Sequence, residues 1–179
     1  MQLSTTQALA FVQQGPGGAR AEVHAAAQLD EVQRRQWSLV WGEVTASRAW
    51  RDQFSGWVEP QRADGGPAPA WRFLVAFDRD LDPELSDLGY ADSQDGRAWV
   101  IQPLRGLKGA KADSRATAWM ASLPTGYRLL RRADGAWVAS VATQSDGQGR
   151  VWLNPQLPPD EQLVASALAS ALLLQSRGH

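Results

Sequence analysis

The densest group of chemistry-bearing side chains lies between Arg105 and Arg115, where Arg105, Lys108, Lys111 and Arg115 surround Gly106 and Gly109. Backbone amides of a glycine-containing loop at a helix start can hold a phosphate, and four cations would add attraction. A short helix carrying Trp119 is expected to follow. The GxxxxGK[ST] order of a nucleotide-binding loop is absent here and at Gly15-Pro16-Gly17-Gly18. Residues 106–109 spell the GXXG of a KH loop, but that loop joins two helices, whereas here a strand is expected to precede it. Basic residues also interleave with tryptophans in residues 97–99, 115–119 and 128–137, the mixture a stacking platform for single-stranded nucleic acid requires. The candidate binding residues, for protein or nucleic acid, are therefore Trp99, Arg105, Lys108, Lys111, Arg115, Trp119, Arg128, Arg131, Arg132 and Trp137.

Asp78, Asp80 and Asp82 alternate as the first ligands of a calcium loop would. The match then fails, because such a loop needs glycine where Pro83 stands and a bidentate glutamate where Gly89 stands. Asp82-Pro83-Glu84 reads instead as a helix start, an N-cap followed by proline. His24 and the terminal His179 are the whole histidine complement, too few for a multi-histidine metal centre, and a Ser-His-Asp site would have to use His24. There is no cysteine, which removes disulfides, thiolate ligands and cysteine nucleophiles. No catalytic residue, metal or cofactor is assigned. An enzyme acting through carboxylates or arginines of residues 78–95 or 105–115 is an alternative that this inventory leaves.

The net charge of −1 conceals segregation, since residues 78–95 sum to −6 and residues 97–132 to +7. Such blocks neutralise one another on a folded surface or meet partners of opposite sign. Sixteen arginines against two lysines, amid many alanines, read as the codon bias of a GC-rich bacterium. The apolar run at residues 163–174 is shorter than a bilayer span, and the uncharged first nineteen residues lack the basic start of a signal peptide. A cytoplasmic location without membrane contact is the expectation.

The elements that must position these residues follow from periodicity. Ser4 to Gln7 resembles a capping box, so a three-turn helix is expected before Gly15. Leu29, Val32, Gln36, Val40 and Val44 recur at spacings of three and four, predicting a second helix from Ala25. Trp50, Phe54 and Trp57 predict a third, with a strand over residues 37–46 as the alternative. Residues 62–70 form a breaker-rich linker. Beyond it, period-two runs at residues 71–78, 97–104, 127–132, 136–143 and 150–154 predict strands, separated by Asp95-Gly96, Asp134-Gly135 and Asp146-Gly147. The second of these suits a two-residue turn with both residues at positive φ. These Asp-Gly pairs lie 39 and 12 residues apart, with no fixed period, which speaks against a propeller or solenoid. Pro158-Pro159-Asp160-Glu161 opens a terminal helix over residues 159–176.

The expected fold is therefore α+β: one domain over 1–179, helical to residue 60, linked through 61–70, with a mostly antiparallel sheet of about five strands over 71–155 and a C-terminal helix. The nine tryptophans are mostly assigned to its core. Trp99, Trp119 and Trp137, within or beside the basic block, are singled out for function. A thin catalytic inventory and a wealth of Trp and Arg, the types enriched at binding hot spots, point to a non-catalytic protein-binding module of adaptor, chaperone-like or inhibitor-like kind. Single-stranded nucleic acid is the alternative partner. The apolar terminal helix would either be buried or pair with a second copy, giving a homo-oligomer.

Overall fold

The computed structural model describes residues 2–37, 44–78, 87–105, 124–143 and 149–176. Nine strands run in chain order as one antiparallel meander: β1 (Gln2–Gln14), β2 (Arg20–Trp37), β3 (Val44–Gln61), β4 (Trp71–Asp78), β5 (Asp87–Ser93), β6 (Ala98–Arg105), β7 (Pro124–Arg131), β8 (Trp137–Thr143) and β9 (Gly149–Leu153). The sheet curves into a half-barrel, and α1 (Pro159–Ser176) follows it.

This overturns the expected five-stranded sheet with N-terminal helices. Residues 2–37 and 44–61 are strand, and the Gly15-Pro16-Gly17-Gly18 break is the turn of the β1–β2 hairpin, closed by the Gly15 amide on the Ala19 carbonyl at 2.8 Å. The physical reason lies in the small residues of β2. Alanine favours helices when nothing else decides, but Ala21, Val23 and Ala25 alternate with Glu22, His24 and Ala26, and the first set is buried. α1 packs on β2 and β3, and the short inner side chains of β2 face the larger Phe54 and Val58 of β3 under the helix. The linker expected at 61–70 is the connection of the β3–β4 hairpin, with Gln61 bridged to Pro67 and the Ala68 amide donating to Pro60. The helix beginning at Ala25 gives way to β2 and β3, paired in one continuous register from Arg20 with Gln61 to Trp37 with Val44. Of the alternative strand over 37–46, residue 37 ends β2 and residues 44–46 begin β3, while 38–43 lie outside the described residues.

The Asp-Gly signals mark real turns with a different geometry. At 134–135 the loop between β7 and β8 holds five residues, with the Gly135 amide on the Arg131 carbonyl at 2.8 Å and the Asp134 carboxylate accepting from the Ala136 amide at 3.0 Å. Only the glycine has positive φ, +70° at Gly135 and +90° at Gly96, so aspartate acts through its side chain rather than by adopting a left-handed backbone. The same Arg-Ala-Asp-Gly spelling recurs at residues 62–65, where Asp64 accepts from the Gly66 amide at 2.8 Å. Asp146-Gly147 lies outside the described residues.

Helix α1 packs against β1, β2 and β3 at one end of the meander and β8 and β9 at the other. It therefore fills the concave side of a sheet whose first and last strands do not pair. A helix in that position must be apolar on nearly every side, and Leu163, Val164, Ala165, Ala167, Leu168, Ala169, Ala171 and Leu172 are all buried. Of the two arrangements expected for this helix, burial in its own core or pairing with a second copy, its described residues show the first; Leu174 is the large apolar residue it leaves exposed. No helix among the described residues is long and apolar enough to cross a membrane.

Candidate binding face

Cross-strand register assigns each side chain to the concave or the convex face. Phe73, Ala91, Trp99 and Arg131 form one inner row, and Ile101, Leu129, Ala139 and Leu153 another. Trp99 is 1% exposed and packs tilted against Trp71, ring centroids 4.1 Å apart, while the Arg97 guanidinium lies 5.4 Å from the Trp71 centroid. Trp99 is thus buried in the core.

Arg131, also on the inner face, is held by Asp134 at 3.1 Å and approaches Glu161 of α1 at 3.9 Å. Arg97 donates to Asp95, Asp160 and Glu161, tying the β5–β6 turn to the helix start. These hydrogen bonds, that to Asp95 above all, raise its pKa and draw the Asp95 carboxyl down from 3.8 to about 2. This cluster fastens the helix to the sheet.

The convex face differs. Leu74, Tyr90, Val100, Leu130 and Trp137 are successive lateral neighbours on β4 to β8, and Gln102, Arg128, Ser140 and Trp152 form the adjoining row. Tyr90, Trp137 and Trp152 are 45%, 38% and 47% exposed. Trp137 Nε1 donates to Ser140 Oγ at 2.9 Å, which fixes the indole beside the Trp152 row. Arg128 and Arg150 are exposed on the same face and form no ion pair among the described residues.

A β-bulge brings Trp137 out. In plain alternation Trp137, Ala139 and Val141 would share the inner face. Register instead shifts between Leu129, paired with Ala139, and Leu130, paired with Trp137, so Val138 is the extra residue. Val138 and Ala139 are both buried and the indole turns to solvent.

A fourth exposed aromatic, Trp57, stacks on His24 at 5.3 Å on the same outer row as Arg72 and Asp92, an ion pair of 2.8 Å. Beside it is a shallow depression of about 570 Å³ lined by Trp57, Glu59, Ala70, Trp71, Arg72, Asp92, Ser93 and Gln94.

Of the sequence-derived set, Arg128 and Trp137 share the convex face. Arg132 is exposed at the β7–β8 turn, and Trp99 and Arg131 are structural. Arg105 ends β6 with its side chain outside the described residues, as are Lys108, Lys111, Arg115 and Trp119 altogether. Sequence reasoning missed Tyr90 and Trp152. The signal for Trp152 was present, because Val151 and Leu153 flank it and pack toward the core. Among the described residues no group of three or more His, Asp or Glu could hold a metal ion. Comparison of the chain with family models, curated proteins and solved structures found no match.

Proposed function

We propose that this chain is a non-catalytic protein-binding module that docks a partner on the convex face of its sheet. One observation carries the reading: the in-register row of Leu74, Tyr90, Val100, Leu130 and Trp137, adjoined by Trp152, sits on the face where an antiparallel sheet normally turns polar residues to water. Tryptophan, tyrosine and arginine are the types that dominate binding energy at interfaces, and here they share one face. The test is affinity capture from the source organism with the whole chain and with the double variant Trp137→Ala, Trp152→Ala. A protein retained by the wild type and lost by an equally folded variant supports the reading. Equal retention by both sinks it.

Single-stranded nucleic acid is the second reading, favoured by Arg128 and Arg150 standing on the same face as the two indoles. Quenching of tryptophan fluorescence by an oligonucleotide, weakening steeply as salt rises, would replace the protein reading with this one. Its absence at low salt leaves the protein reading in place.

A further inference from the structure

We infer that β1 is a strand-addition surface and that its occupant is the β1 strand of a second copy of this chain, paired antiparallel about a two-fold axis. An edge strand presents a row of unpaired amides and carbonyls, and proteins that stay monomeric blunt such edges with charges, proline or bulges. β1 has none of these. Its thirteen residues, QLSTTQALAFVQQ, include no charge and no proline, and its register with β2 runs without a shift from Gln2 with Val32 to Gln14 with Arg20. No described strand pairs with its other side. Thr6, Gln7 and Ala8 are exposed in succession, so neither face of the strand is covered there.

Two features select a second copy. In a two-fold antiparallel pair each residue meets a residue of the same strand, and like charges directly opposite one another are destabilising; an uncharged strand has no register in which it repels itself. The other sheet edge, β9, is five residues long and carries Arg150, so a head-to-tail contact would match thirteen residues with five. The template is also held in place from within, since Ser170 of α1 donates to the Gln13 side chain at 3.2 Å.

The experiment is light scattering on the full chain from about 1 to about 100 µM, a range in which a specific dimer of ordinary strength dissociates. It compares the wild type with the double variant Ala8→Lys, Ala10→Lys, whose sites are exposed. The wild type is expected to dimerise, and the variant, its circular dichroism unchanged, to dimerise at least about tenfold more weakly. A wild type that stays monomeric throughout, or a variant that dimerises equally well, overturns the inference. Hydrogen exchange on the wild type decides independently of variant folding: the alternate amides of residues 6–10 that point away from β2 should gain protection with concentration, and unchanged exchange in a dimer also overturns it.

Discussion

The Arg97 guanidinium donates to the Glu161 carboxylate at 3.2 Å, joining the β5–β6 turn to the first turn of α1 across 64 residues of chain. The Glu161 side chain is 9% exposed, and its other described cation, Arg131, lies 3.9 Å away. Arg97 Nη1 also reaches Asp160 at 3.0 Å. One planar fork therefore holds two carboxylates at the positive end of the helix dipole, where acidic residues are already favoured.

Replacing Arg97 by alanine should strand a largely buried carboxylate and destabilise the fold by about 1–3 kcal/mol, read from urea denaturation. Lysine should recover only part of the loss, because one ammonium cannot reproduce the fork. Arg72→Ala, which breaks an exposed pair, should leave the midpoint nearly unchanged. Equal loss in the two alanine variants would refute this assignment.

Acid should weaken the protein in a defined window. The Arg97 hydrogen bond holds Asp95 at about 2, below its ordinary 3.8, so the linked stability is present above the ordinary value and is lost as pH falls toward 2. Asp134 is shifted the same way, chiefly by the Ala136 amide. Asp95→Asn should flatten the fall in urea midpoint over that window, and an unaltered slope would count against the linkage.

Acrylamide should quench Trp57, Trp137 and Trp152 while sparing Trp71 and Trp99, a division that single Trp→Phe variants can resolve. Trp99→Ala should cost about 3–5 kcal/mol as a core truncation. Trp152→Ala should stay within about 1 kcal/mol of the wild type. A large loss at Trp152 would mean that its ring is structural and would weaken the proposed binding face.

Leu172 is fully buried, and its truncation to alanine should cost about 2–5 kcal/mol. The neighbouring alanines impose the opposite constraint. Ala169→Leu should lose about 1–3 kcal/mol by overpacking, whereas a helix docked loosely on the sheet would tolerate or gain from the larger side chain.

Three local patterns were sufficient in the sequence alone. Period-two alternation marks the strands β4, β6, β7, β8 and β9. The proline and acidic first turn with its long apolar run specify α1, and Asp-Gly beside alternating residues marks the turns at 95–96 and 134–135, because both effects operate within a few residues. Tertiary structure decided the rest. The alanines of β2 became strand by pairing with β1 and β3 and packing under α1, the last a contact made with residues more than a hundred positions away. The exposure of Trp137 depends on a single extra residue, Val138, whose placement is set by how β8 meets β7. Reversing which face a side chain occupies takes a shift of one residue in pairing, and pairing is a relation between strands that periodicity within either one does not contain.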